Sequence, residues 1–483
     1  MTSNSFVKGI FSSVIMRWSV KFIGIFNTMI LARILMPEDF GLVAMAAIFR
    51  ALVEEFSTIN VSLLLIRKKG DAKEAANTAW TVSIIQSFFL ALMLCLLAPL
   101  AVDFFAEERV RDIIYFMAAI KILAGFNNIG VVLARKDLDF MLDYKFMVYS
   151  RIATFCSVML LVYFIRDYRA IIYGDLLGAA LTVAISYILH PYRPQFSKKN
   201  ISEYLKFSLN MIPYSICRLL NNKLSVLLVG KVASASVMGG YNVCNELASM
   251  FTKELMFPVL RGMYPNLTKI ADDRKAFNRI FINTYSFTAA ICFPIVIVLW
   301  FYSKDVVLIL LGQQWVETHE FLKYLSIYGG LTSMMMVISE QSLIAIGMES
   351  KANKLMWFRL IMLLPAVLLG YHLSGFIGMI QAMIVVTLFS MNIILLHIAK
   401  LFKINRFLFI KKFLRLALPG SAMAACIYWL TQYNFTDSFA INYYIEQAII
   451  VSLAVLAYVA TIFILWLLAG RQEGFESTIF KRF

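Results

Sequence analysis

Charge is scarce in this chain: Asp, Glu, Lys and Arg make up only 15% of its 483 residues. Set against 61% hydrophobic residues and a mean hydropathy of +0.76, that scarcity excludes a soluble globular protein, whose core could not bury so much apolar surface. Histidine is scarcer still. Acyl transfer wants a polar imidazole in a cavity, whereas His190, His372 and His397 fall at the ends of apolar runs. Cys95, Cys156, Cys217, Cys244, Cys292 and Cys426 lie inside apolar segments with no CxxC spacing, which reads as small buried hydrophobes rather than a metal site. His319, beside Glu317 and Glu320, reads as a solvated turn. There is no GxGxxG, no Walker glycine loop and no HExxH, so ATP does not drive this protein directly, and no cofactor or metal is expected. No loop exceeds about 16 residues, which leaves no room for a folded extramembrane catalytic domain. The apolar run from Ile10 is too long for a cleavable leader and lacks a small-residue cleavage site, so the first span is expected to act as an uncleaved anchor.

What the chain does have is a succession of apolar runs of roughly 20 residues. They predict an all-α polytopic membrane protein of about fourteen transmembrane helices, at approximately 10–35, 40–66, 76–102, 112–134, 146–165, 170–190, 204–230, 238–264, 280–302, 321–346, 353–373, 375–399, 414–433 and 443–469. Almost no loop separates the spans on either side of 372–375. The net charge of +16 comes from short basic clusters between the runs rather than from one soluble face, which argues against nucleic acid. The loops at 67–73, 135–145, 193–206, 269–279, 351–354 and 400–415, with both tails, carry roughly 27 basic residues against roughly 6 on the alternate loops. Both termini are therefore expected in the cytoplasm. The 14% aromatic content and the 25 methionines suit lipid-facing and loosely packed helices.

A weak internal repeat suggests two lobes. Ile30 to Leu42, with Arg33 and Gly41, can be laid on Leu228 to Gly240, with Lys231 and Gly239. The expected organisation is an N-terminal lobe over 1–195, a second lobe over 196–400, and two extra C-terminal spans over 401–483.

The ionisable residues inside the spans are unevenly spread. Arg17, Lys21 and Arg33 fall in the first span, Arg50, Glu54 and Glu55 in the second, Arg218 and Lys223 in the seventh, and Glu246, Lys253, Glu254 and Arg261 in the eighth. Facing lipid, about twelve such groups would cost on the order of 36 kcal/mol, more than the stability margin of a protein. These four spans are expected to line a shared polar cavity in which cations outnumber carboxylates, open to an anion. Arg33, Arg261 and Lys231 can instead snorkel to an interface. Lys121, Arg151, Arg359 and Glu340 are isolated in the sequence, each open to a role in the cavity or as a pairing partner, and Asp175 sits in a Gly174-x-x-x-Gly178 motif that suits close helix packing. Pro213, Pro258, Pro294 and Pro365 fall within spans, where they release backbone carbonyls and suggest hinges.

Between the first two spans, Pro37 stops one helix and Glu38 and Asp39 suit the start of the next. The string Leu35-Met36-Pro37-Glu38-Asp39-Phe40-Gly41-Leu42, with the Arg67-Lys68-Lys69 loop, resembles bacterial oligosaccharide flippases of the polysaccharide transporter family, within the superfamily that also holds multidrug and toxin extrusion proteins. The resemblance implies a V-shaped, monomeric, two-lobed carrier in the bacterial inner membrane. Such a carrier moves an undecaprenyl-diphosphate-linked oligosaccharide between leaflets by alternating access, coupled to H+, Na+ or the membrane potential, near a polymerase or glycosyltransferases. In the related lipid II flippases, arginines of spans 1, 2 and 8 hold the diphosphate. By position, the substrate-binding candidates here are Arg17, Lys21, Arg50 and Arg261, with Arg218, Lys223 and Lys253, and the ion-coupling candidates are Glu54, Glu55, Glu246 and Glu254. A multidrug-type antiporter is the alternative, against which the excess of cations argues; a glycan polymerase would want a large outward loop that this chain lacks.

Overall fold

The computed structural model describes residues 21–56, 65, 72–137, 139–199, 201, 219–221, 223–256, 267, 270, 273–337, 343, 348–402, 406–432, 443–468 and 470. Among the described residues the regular structure is helical throughout. In chain order the helices are α1 (21–34), α2 (Pro37–Phe56), α3 (Ala72–Phe105), α4 (Arg109–Gly125), α5 (Gly130–Lys136), α6 (Phe140–Ile165), α7 (Tyr168–Leu189), α8 (223–232) and α9 (Ala235–Ser249). A π-helical turn, Met250–Glu254, follows, then α10 (Arg274–Leu310), α11 (His319–Met336), α12 (Glu349–Phe402), α13 (Arg406–Thr431) and α14 (Tyr443–Leu468).

Among the described residues, six stretches are long and apolar enough to cross a membrane: Lys73–Phe105, Met141–Ile165, Tyr168–Leu189, Lys275–Leu310, Ser350–Leu401 and Tyr443–Leu468. Their outer faces suit hydrocarbon rather than water. On α14, for example, Leu456 is 63% exposed and Leu468 79%.

Three of the expected spans behave differently from a plain hydropathy reading. The run at about 112–134 is two helices, α4 and α5, bent by 59°. Asn128 sits at the bend, where its side chain takes the Gly130 N–H that a continuous helix would have paired internally and also reaches the segment after α7. Its amide nitrogen donates to the Tyr192 and His190 carbonyls at 2.7 and 3.2 Å, and its oxygen accepts the Gly130 N–H at 2.9 Å. The runs at 353–373 and 375–399 form one helical stretch broken only at Ser374 and Gly375. Gly375 has φ +60°, which a side chain would oppose. A methyl at Gly370 or at Gly378 would overlap the carbonyl of the other, so the two halves turn back on each other at near backbone contact.

Proline does not mark the bend in α10. The non-helical residue there is Tyr302, while Pro294 sits in regular helix. Pro294 lacks the N–H that would have bonded the Ala290 carbonyl, and the Tyr458 hydroxyl of α14 donates to that carbonyl at 2.9 Å instead. Met423 and Ile427 of α13, Ala454 and Tyr458 of α14, and Tyr302 of α10 then share one buried cluster, which fastens the last two helices to α10. Pro213 and Pro258 lie outside the described residues.

Backbone packing divides the chain into two compact units, one of Met1–Val243 with Leu310–Trp315, the other of Cys244–Ile309 with Val316–Phe483. Within the first unit the corners at 37–41 and 235–239 cross. A methyl at Gly41 would overlap the Ala235 carbonyl, and one at Gly239 would overlap the Pro37 carbonyl. Because 41 and 239, like 37 and 235, correspond in the repeat, the crossing is reciprocal. Of the flanking cations, Lys231 donates to the Phe104 carbonyl at the end of α3 (2.9 Å), and the aliphatic stem of Arg33 lies by Gly312, just past α10. Trp315 is fully buried in the first unit and donates to the Ala32 carbonyl at 2.7 Å, while Gln314 bonds the Ala32 and Leu35 carbonyls, satisfying the end of α1.

Candidate functional site

Asp39 sets how α1, α2 and α7 meet. Its carboxylate accepts the Met36 N–H at the corner and the Tyr168 N–H at the start of α7, both at 3.0 Å. From that corner α2 runs three turns to Arg50 and Glu54, four residues apart on one face, with Nη1 and Oε1 at 3.8 Å. The same Glu54 oxygen lies 3.1 Å from Nζ of Lys121 on α4. One carboxylate thus bridges cations from two helices.

A second carboxylate joins them. Gly174 and Gly178 let α7 approach α6 so closely that a methyl on either would meet backbone atoms of Val158 or Thr154 within 2.7 Å. That contact sets Asp175 beside α6, where its carboxylate feels the charges of Arg50 and Arg151. The Arg151 guanidinium in turn lies against Gly24 of α1, with Nη2 2.9 Å from where a Cβ would stand. Arg50, Lys121, Arg151, Glu54 and Asp175 therefore form one polar group in the first unit, with three cations to two carboxylates. Lys21 opens the described part of α1 and is exposed.

Of the residues expected in a cavity, Arg50 and Glu54 are brought together. Glu55 is half-buried on α2, Lys223 is exposed on α8 and Glu246 is exposed on α9. Lys253 and Glu254 fall in the π-helical turn of the second unit, where the Lys253 ammonium stands 5.5 Å from the centre of the Tyr328 ring. Arg17, Arg218 and Arg261 lie outside the described residues, as does Glu340. Lys121, Arg151 and Asp175, which look isolated in the sequence, are the residues whose importance only the packing reveals. Their one sequence signal is a single charge in each of three otherwise apolar runs.

Such a cluster can exchange an internal carboxylate for an incoming anion, since each cation keeps donors suited to phosphate or carboxylate oxygens. A family model described as "Polysaccharide biosynthesis protein" matches residues 30–320. Lipopolysaccharide biosynthesis protein WzxC of Escherichia coli (strain K12) is 23% identical over 372 residues, covering 76% of this chain and 75% of that protein. Among solved structures, the lipid II flippase MurJ in its inward closed conformation superposes with a TM-score of 0.70 at 16% identity, over 94% of this chain and 98% of that one. An inward-facing multidrug resistance MATE family transporter does so with a TM-score of 0.63 at 17% identity, over 81% of this chain and 99% of that one. At those identities the likeness is one of fold.

Proposed function

Because the chain belongs to the polysaccharide biosynthesis protein family, we propose that it is a flippase that carries an undecaprenyl-diphosphate-linked oligosaccharide across the bacterial inner membrane for surface polysaccharide synthesis. The observation that carries this reading is the linked group Arg50, Glu54 and Lys121, a cation-rich site on membrane helices. A diphosphate needs such donors, and a glycan needs a polar route through hydrocarbon. The likeness to WzxC supports the substrate class. The MATE-like fold serves drug export equally well, but three cations against two carboxylates favour an anionic substrate over a cationic drug.

The full substrate site on this reading comprises Arg17, Lys21, Arg50, Arg218, Lys223, Lys253 and Arg261, joined by Lys121 and Arg151. The protein works as a monomer of two six-helix lobes and two further helices, with both termini cytoplasmic. Transport is coupled to H+, Na+ or the membrane potential through Glu54, Glu55, Glu246 and Glu254. A carboxylate that loses its cation to the arriving diphosphate is left to bind a proton or cation instead.

The test is complementation of a strain lacking its own oligosaccharide flippase. The wild-type chain restores surface glycan, whereas Arg50→Ala and Lys121→Ala abolish it at normal membrane abundance. Normal glycan display in both variants would refute the site, and sensitivity to cationic drugs without a glycan defect would favour the antiporter.

A further inference from the structure

The second unit holds two cations that converge on one tyrosine. At Met250–Glu254 the helix that begins as α9 widens into a π turn, which adds a residue to the turn and re-aims the side chains that follow. Gly329 of α11 lies against this turn: a methyl there would come 2.5 Å from the Thr252 hydroxyl and 3.4 Å from the Ala248 carbonyl. The neighbouring Tyr328, 7% exposed, is thereby set beside the turn, with the Lys253 ammonium 5.5 Å from its ring centre. From α12, Nη2 of Arg359 donates to the Tyr328 hydroxyl across a long 3.3 Å.

Arg359 has more to give. Its Nε is buried and has no hydrogen-bond partner among the described residues. Nε and Nη2 form the edge of a guanidinium that binds a carboxylate or phosphate through two parallel hydrogen bonds. A buried donor is seldom left without an acceptor in a settled structure, so an open edge beside a second cation points to an acceptor that arrives from outside. Glu254 follows Lys253 on the same turn and is half-buried.

We propose that Arg359, Lys253 and Tyr328 form an oxyanion-binding site in the second unit, taking a phosphate or carboxylate group of the transported glycolipid. The substrate's identity rests on the flippase reading above; the binding chemistry does not. Arg359 supplies the two-pronged edge, Lys253 a point charge, and the Tyr328 hydroxyl a donor once the guanidinium turns to the ligand.

The experiment is equilibrium binding of radiolabelled inorganic pyrophosphate, and separately of glucuronate, to the purified full chain in nanodiscs. Arg359→Gln is expected to weaken binding at least tenfold, and Arg359→Lys to recover part of it by keeping the charge without the fork. Tyr328→Phe, which removes one hydroxyl from a packed ring, gives a second reading of several-fold loss should Arg359→Gln fail to accumulate. Selective loss of pyrophosphate binding identifies the lipid diphosphate as the source, and selective loss of glucuronate binding identifies an acidic sugar. Unchanged affinity for both probes in the Arg359 and Tyr328 variants overturns the site. Failure of the wild-type chain to restore glycan would refute the flippase reading while leaving this measurement standing.

Discussion

Gly41 and Gly239 hold equivalent places in the two crossed corners of the first unit, and a methyl on either would overlap a carbonyl of the opposing corner. Both obstacles are backbone, so no rotamer change relieves them and one corner must withdraw from the other. Overpacking a well-filled site costs typically ~1–3 kcal/mol, and a backbone obstacle belongs at the upper end. Either methyl alone opens the crossing, after which the second finds room already made. Gly41→Ala and Gly239→Ala are each expected to destabilise by about 2 to 3 kcal/mol, and the double variant by about the same amount, so that the double falls short of the sum of the singles by about 2 to 3 kcal/mol. Reversible unfolding of the purified chain in mixed micelles measures this. Gly420→Ala is the control, because its methyl would meet only the Ile297 and Phe293 side chains at 3.4 and 3.6 Å, and it should stay within about 0.5 kcal/mol. Losses in the double variant equal to the sum of the singles, or singles no worse than the control, would refute the reciprocal crossing.

Tyr458→Phe removes the hydroxyl that replaces the missing Pro294 donor, and leaves the Ala290 carbonyl unpaired at a cost of about 1–3 kcal/mol. The same change in a Pro294→Ala background should cost far less, which a double-mutant cycle reads directly. Asp39→Ala frees the Met36 and Tyr168 N–H groups and should cost about 0.5–2 kcal/mol; faster amide exchange at both residues, rather than at Met36 alone, is the signature of the shared cap. The Arg109 guanidinium, bonded to Glu107 at 2.8 Å and Glu38 at 2.7 Å, holds the Glu107 carboxyl below its ordinary value of 4.5. A depressed acid contributes stability that is present above pH 4.5 and lost as pH falls through the folded value. Arg109 is exposed, so Arg109→Gln should cost no more than about 1 kcal/mol at pH 7, with the difference from wild type vanishing on acidification. A difference independent of pH would count against this pairing.

Much of the architecture is legible in the sequence because lipid imposes it. Apolar runs near Lys73, Met141, Tyr168, Lys275, Ser350 and Tyr443 become helices since a single apolar segment satisfies its own backbone in hydrocarbon only as a helix. Pro37 and Asp39 mark a corner for the same local reasons that operate in the folded chain. Asn128 shows where such reading stops. Hydropathy averages over one polar residue, yet that residue reaches carbonyls more than sixty positions away and sits at the bend of the run. Among the site residues, the Arg50 and Glu54 pair follows from helical spacing. Lys121, Arg151 and Asp175 could not be joined to it, because their meeting depends on how Gly174 and Gly178 set α7 against α6 and on the approach of α4 to α2. Arg359 was hidden for a related reason: a π turn at Met250–Glu254 shifts the phase of the helix, and periodicity counted at 3.6 residues cannot anticipate it.

The two polar groups also differ in what an entering anion must displace. In the first unit, Glu54 already occupies both Arg50 and Lys121, so an oxyanion that takes those cations leaves a carboxylate without its counter-charge in a membrane helix. On the proposed flippase reading, protonation or a metal cation is then the cheapest way to neutralise it, and substrate arrival would be tied to ion uptake. In the second unit, Arg359 offers a buried N–H that no acceptor among the described residues holds, and an oxyanion there displaces no carboxylate from that donor. On the proposed flippase reading, Glu54 is therefore the ion-coupling carboxylate of this group in the first unit, and substitution of Arg359 should weaken anion binding without altering its dependence on pH.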